Sequence, residues 1–281
     1  MGLFQRQTVG NVEMIAVQDS WALMDPAQFF TDIPISDWDP YRDLLQPDGK
    51  ILLNIGAWIV VSEGKTIIVD TGVGGRPTQM PIQEPAGLPS VLKEADVSLS
   101  DVDLVVHTHL HFDHTGWNTI DDSGSPVPLF PNARHIVQSI EWGYWMGEDE
   151  RRKAAQYDNA FAPIEKNGQL DLVDGEYAVT SEMVTVPTPG HTPGHVSFAI
   201  NSGGEKAYLI GDIAHQPVQV TEDTWCPNFD IDKTQSTLSR KQLLQRIADE
   251  RALVASGHFP FPGLGHVVIE NGRRVFNAVA E

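Results

Sequence analysis

Apolar residues in this chain fall into short runs bounded by Gly, Pro, Asn or Asp. The runs VEMIAVQDS (12–20), ILLNIGAWIVV, KTIIVD, DLVV, ARHIVQS (133–139), MVTVP, VSFAI, KAYLIGD and ALVAS are rich in Val and Ile, and each predicts a strand. The turn SEGK predicts a hairpin between the second and third runs, and Asn271-Gly272 predicts another inside HVVIENGRRVFNAV. Helical spacing is rarer. Leu238, Leu243, Leu244 and Ile247 recur at helical intervals in STLSRKQLLQRIADE, with Ser236 as the expected cap. VLKEADV reads as a short helix capped by Ser90, and IEWGYWMGEDERRKAAQY reads as helical despite Gly143 and Gly147. Residues 21–50, rich in Pro, Asp and aromatics, read as an irregular excursion holding a short helix. The order Lys, apolar strand, Asp occurs in both KTIIVDTG (65–72) and KAYLIGDI (206–213), which points to two similar halves.

Composition narrows the class. No low-complexity stretch or linker divides the chain, so residues 1–281 are expected to form one domain. Hydrophobic content of 41% and charged content of 20% describe a globular chain. Thirty-eight acidic residues against 19 basic ones give a net charge of −19, which repels phosphate backbones and anionic lipid. Nucleic acid and membrane are therefore not expected partners. Cys226 is the sole cysteine, so no internal disulfide is expected. The N-terminal stretch has no uninterrupted apolar core of the kind a secretory signal needs, and the expectation is a cytoplasmic protein.

The chemistry concentrates after the run DLVV. THLHFDHTG, residues 108–116, places His109, His111, Asp113 and His114 just past a strand. In an extended segment His109 and His111 share one face, while Asp113 and His114 follow at a turn and can point elsewhere. That arrangement suits two adjacent cations better than one. Three further runs end on a ligand type beside a glycine: VTVPTPGH on His191, AYLIGD on Asp212 and LVASGH on His258. Side chains of this kind bind metal when several converge, and strand ends are where open sheets gather ligands.

In that order THLHFDHTG, TPGHTPGH, IGD and SGH resemble the H-x-H-x-D-H signature and later ligand motifs of the metallo-β-lactamase-fold hydrolases. The likeness extends over the whole chain, VDTGVGG included. The excursion and the tail GHFPFPGLGH resemble more narrowly the branch of N-acyl-homoserine lactonases and methyl-parathion hydrolase. The resemblance implies an α+β fold, a four-layer αββα sandwich with the site at one edge of two facing sheets. It implies that His109, His111 and His191 hold one metal, that Asp113, His114 and His258 hold the other, and that Asp212 bridges them. It also implies a homodimer.

Two divalent cations sharing a hydroxide would supply a nucleophile from water at neutral pH and polarise a carbonyl or phosphoryl oxygen. Zinc is the expected ion, with cobalt, manganese and iron compatible with the same donors. Asp70, in VDTG, is expected to brace ligating imidazoles, the other reading being a carboxylate that closes its own turn. The lactonase pattern carries a tyrosine three residues after the bridging aspartate. Here that position is His215, expected to act in catalysis with Asp113 and Asp212. Trp117, Phe259 and Phe261 follow ligands closely, Trp225 lies in the loop after Asp212, and Trp145 sits on a helix in a rim segment; all five are expected to line the substrate pocket, core packing being the other reading for Trp145.

The expected function is hydrolysis of lactones and related small neutral esters, with phosphotriesterase activity alongside. The alternatives are a hydrolase dedicated to aryl esters or organophosphate triesters and, from another class, a mononuclear iron sulfur dioxygenase.

Overall fold

The computed structural model describes residues 3–78 and 80–279. In chain order its strands are β1 (Phe4–Val9), β2 (Val12–Met24), β3 (Ile51–Ser62), β4 (Lys65–Val69), β5 (Leu104–Val106), β6 (Thr119–Asp122) and β7 (Ser125–Pro128). They continue as β8 (Arg134–Gln138), β9 (Leu170–Val173), β10 (Met183–Pro187), β11 (Val196–Ser202), β12 (Glu205–Leu209), β13 (Leu253–Ala255), β14 (Leu264–Glu270) and β15 (Arg273–Ala278). One sheet runs β1-β2-β3-β4-β5-β8-β9 and the other β10-β11-β12-β13-β14-β15, while β6 and β7 form a separate hairpin.

Alternation along the strands builds the layers. Trp58, Val60, Ile67 and Val69 of the first sheet meet Phe198, Ala207, Leu209 and Ala255 of the second in one shared core. Their neighbours point the other way. Ala57, Ile59 and Ile68 pack under Leu88, Val91 and Leu92 of the helix Leu88–Glu94. Tyr208, Ile210 and Val254 pack under Leu243, Leu244 and Ile247 of the helix Lys233–Glu250. Both faces of each central strand are therefore dry, which is why these strands read as near-continuous apolar runs. The result is the expected αββα sandwich in the α+β class.

The internal echo is structural. β4 pairs antiparallel with β3 and parallel with β5, and β12 pairs antiparallel with β11 and parallel with β13. Asp70 follows β4, His109 follows β5, Asp212 follows β12 and His258 follows β13. Each half thus delivers the ends of two parallel neighbours to the same edge, and the candidate ligands lie there.

Several local expectations need correction. β1, β9 and the β6-β7 hairpin lie outside the predicted runs. Ser90 sits inside its helix, whose N-cap is Gly87, and its hydroxyl donates to the Gly87 carbonyl. Asp232 rather than Ser236 caps the Lys233–Glu250 helix, accepting the Gln235 N–H at 2.9 Å. The expected single helix over 140–157 breaks into Ser139–Met146, Asp149–Ala154 and the start of Tyr157–Ala160, with Gly147 at the first break and Gln156 at φ +53° at the second. No helix among the described residues is long and apolar enough to cross a membrane.

Leu244 is fully buried between its helix and the second sheet. Leu244→Ala should lower stability by about 2–5 kcal/mol, read from urea unfolding. A loss below about 1 kcal/mol would mean that this layer does not carry the sheet.

Candidate metal centre

The turn after β5 carries the first cluster. Asp70 stands at the end of β4 with φ +59°, a left-handed conformation that Asp tolerates better than most residues. From there its Oδ1 accepts the Thr108 N–H at 2.8 Å, and its Oδ2 accepts the Thr108 hydroxyl at 2.7 Å. The same Oδ2 lies 2.8 Å from His114 Nδ1. Asp70 thus ties β4 to the loop after β5 and orients His114, a cross-strand brace rather than a closure of its own turn. The one-turn helix Phe112–Thr115 then presents Asp113 and His114 on a different bearing from His109 and His111.

Asp212 sits at the centre. Its Oδ2 lies 3.5 Å from His109 Nε2, 3.2 Å from His191 Nε2, and 3.3 Å from both His114 Nε2 and His258 Nε2. His215 Nε2 is 3.0 Å away, and Asp212 Oδ1 is buried with no hydrogen-bond partner among the described residues. Burial alone would raise the Asp212 carboxyl. The surrounding imidazoles, His114 and His258 foremost, reverse this and hold it well below the usual carboxylate range. Burial, with His114 next, likewise pushes His109 well below the ordinary imidazole value; burial, with His191 next, does the same to His111.

Outer partners fix the tautomers. His191 Nδ1 donates to Asp230 at 2.8 Å, His114 Nδ1 to Asp70, and His258 Nδ1 to the Asn54 carbonyl at 2.7 Å. Each therefore turns its Nε2 inward. These nitrogens crowd one another: His114 Nε2 and His258 Nε2 are 3.1 Å apart, and His109 Nε2 and His191 Nε2 each stand 2.9 Å from His111 Nδ1. Burial opposes a proton on these rings, but Asp212 with Asp70 and Asp230 outweighs it, raising His114 well above the ordinary imidazole value and His191 to about 9. A divalent cation would take the place of those protons. Two groups of donors lie close enough to hold cations, one of His109, His111, His191 and Asp212, the other of Asp113, His114 and His258. Asp212, His215 and His258 form a third overlapping group. The residues fit two divalent cations.

Above the cluster lies a cavity of about 160 Å³. Its walls are Met24, Phe29, Leu53, Met80, Phe112 and Phe229, and its floor comes from the cluster with His215. The aromatic residues expected there are elsewhere. Trp117 donates its indole N–H to Asp19 at 2.8 Å and packs against the outer cluster of the first sheet. Trp145 lies behind His111, ring centroids 5.3 Å apart. Trp225 packs against Trp38, Phe259 is buried against Phe276, and Phe261 joins the core between the sheets. Beyond the tight turn at His258, Phe259 points back into a packing layer, whereas Phe29 and Phe229, on segments that fold over the sheet edge, line this cavity.

Asp230 escaped sequence reasoning altogether. Its Oδ2 accepts the Ser236 hydroxyl at 2.7 Å and pairs with the wholly buried Arg240 at 3.3 Å. Burial raises this carboxyl, but the His191 bond and nearby positive charge outweigh it and bring it to about 2.

A chain of this architecture with this donor set falls in one class: it belongs to the metallo-beta-lactamase superfamily, whose family profile matches residues 52–258. Among its relatives, the N-acyl homoserine lactonase AttM of Agrobacterium fabrum is 32% identical over 166 residues, 57% of this chain and 59% of that protein. The match thus spans less than two thirds of that relative. An N-acyl homoserine lactonase of Bacillus cereus is 26% identical over 239 residues, 79% of this chain and 88% of that protein. The fold matches AidC, a dizinc quorum-quenching lactonase solved with a product, at TM-score 0.87 and 23% identity, covering 100% of this chain and 98% of that one. It also matches the hydrolase AbOPH at TM-score 0.85 and 24% identity, covering 100% and 99%.

Asp230→Ala frees the His191 ring. It should weaken zinc retention by about 10–100-fold, measured by competition with a chelator. Unchanged affinity would mean that packing alone orients His191.

Proposed function

We propose that this chain is a dinuclear metal-dependent hydrolase of lactones and related neutral esters. The observation that carries the reading is the joining of the His/Asp cluster to a cavity with apolar walls and, among its described residues, no Lys or Arg. Bound cations would meet the reacting ester group at the floor, while a charge elsewhere on the substrate would be buried against Met24, Phe29, Leu53 and Phe229 without a basic partner. Such burial is costly, so a neutral ester is favoured. The names of the relatives agree with this class.

In this reading His109, His111 and His191 hold one ion, Asp113, His114 and His258 the other, and Asp212 lies between them. Zinc is the proposed ion. When bound, such a pair supplies a water-derived nucleophile at neutral pH and Lewis-acid polarisation of the ester carbonyl. The chain does the rest. Asp70, Asp230 and the Asn54 carbonyl keep the ligating rings from turning. Met24, Leu53 and Phe29 exclude water from one side of the cavity, and Phe229, partly exposed, guards its mouth. His215 lines the same space, its ring stacked on His258 with centroids 5.2 Å apart. Burial keeps it neutral, at about 4, against the pull of Asp212. A neutral imidazole there serves as a hydrogen-bonding contact for the substrate or its leaving oxygen, the task that the lactonase-like pattern gives to tyrosine. Residues 1–281 are taken as one hydrolase unit, supported by the core that both sheets share.

The deciding comparison is kcat/KM for an aliphatic lactone, a long-chain acyl-homoserine lactone and an aryl phosphotriester on one zinc-loaded preparation. The lactones should be the better substrates. A phosphotriester preference would move the protein to the organophosphate branch. Turnover of none, with one iron per chain in the protein as isolated, would favour the dioxygenase chemistry. His215→Ala should retain two metals and lose kcat/KM on the order of 10²-fold. Wild-type kinetics with both metals kept would take His215 out of the reaction.

A further inference from the structure

Glu141 is a buried carboxylate that touches no candidate ligand through its own oxygens, yet it joins the two loops that carry three of them. It lies in the first turn of the helix Ser139–Met146. Its Oε1 accepts the Leu110 N–H at 3.0 Å and the Trp145 indole N–H at 2.7 Å. Its Oε2 accepts the Gly194 N–H at 2.9 Å. Leu110 stands between His109 and His111, and Gly194 lies in the loop that begins at His191. The contact is close: a Cβ on Gly194 would come within 2.3 Å of the Glu141 nitrogen, so that loop rests directly on the helix backbone. Trp145, held by the same carboxylate, packs edge-on to the His111 ring at 5.3 Å.

The other half of the centre has braces of its own. His114 leans on Asp70, which also holds Thr108 at the base of the His109 loop, and His258 leans on the Asn54 carbonyl. Among the described residues, the bonds of Glu141 run to the loops that hold His109, His111 and His191 and to Trp145.

We propose that Glu141 is a positioning residue for the three-histidine half of the centre. It sets the spacing between the His109–His111 loop and the His191 loop, and it locks the His111 ring through Trp145. A carboxylate suits the task because it only accepts, and its three N–H neighbours only donate, while the Thr192 hydroxyl of the His191 loop faces it as well. Glutamine, nearly isosteric, would turn an amide N–H₂ toward one of those donors. The spacing of the three ligands should then slip while the other half keeps its geometry. This inference rests on the two-metal reading above.

The test loads zinc or cobalt alone into wild type, Glu141→Gln and Glu141→Ala, and counts metal per chain during chelator competition. His109→Ala and His258→Ala serve as cobalt-spectrum references for an impaired three-histidine half and an impaired opposite half. Wild type should hold two ions. Glu141→Gln should hold one as tightly as wild type and the other at least about tenfold more weakly, with a cobalt spectrum that follows His109→Ala. Glu141→Ala should show the same selectivity more strongly. If that variant fails to fold, Glu141→Gln still decides. Equal weakening of both ions, wild-type affinity for both, or a spectrum that follows His258→Ala would overturn the proposal. Fewer than two ions in wild type would overturn the two-metal reading itself, and this inference with it.

Discussion

Everything at the sheet edge depends on one electrostatic constraint. Five imidazole nitrogens lie within 3.5 Å of a single buried carboxylate oxygen, Asp212 Oδ2. Three of those rings are oriented from behind, so that Nε2 faces inward. Asp212 draws protons to these nitrogens against the cost of burial, and divalent cations would replace those protons on binding. The rest of the architecture can be understood as what holds these donors together. The ends of β5, β10, β12 and β13 lead into the segments that carry them, and the shared core between the sheets keeps those ends from separating.

A second tier of carboxylates keeps the loops in place. Asp19, Asp70, Glu141 and Asp230 are all buried or nearly so. Asp19 accepts from the backbone N–H groups of Val73, Gly87 and Leu88 and from Trp117, tying the glycine-rich turn after Asp70 to the start of the next helix. A carboxylate isolated in such a place would be costly, whereas one surrounded by N–H donors binds several chain segments together. Burial raises the Asp19 and Glu141 carboxyls, and their donors oppose that rise. Loops held this way do not need long helices beside them, which fits the short, broken helical segments found over 139–166.

Legibility in the sequence followed the range of the physics. The cluster from His109 to His114 was plain because four donor residues in six positions leave few other uses, and His191, Asp212 and His258 were plain because each closes an apolar run beside glycine. The layers were legible from the runs, and the duplicated order of Lys, strand and Asp anticipated the matching strand pairings of β4 and β12. Asp230 and Glu141 were not legible, since an acidic residue announces its role only through partners distant in sequence. The lining of the cavity was hidden for a related reason. Trp117 and Phe259 neighbour ligands in the chain, but a turn separates their directions, while Met24, Phe29, Met80 and Phe229 reach the cavity from segments that carry no motif.

That separation bears on how specificity can change while the centre stays fixed. The donors sit on strand ends clamped by the carboxylates, and a displaced ring would disturb several bonds at once. Much of the cavity wall comes from the excursion after β2 and from the loop before the Lys233–Glu250 helix. These pack through Phe29, Phe30, Trp38 and Trp225 in an apolar cluster of their own. Apolar contacts are non-directional and tolerate exchanges of similar volume, so the wall can be reshaped without moving a ligand. There are two exceptions: Phe112 lies between His111 and Asp113, and Asp230 follows Phe229 directly and holds His191, so a change at either place also reaches the metal centre.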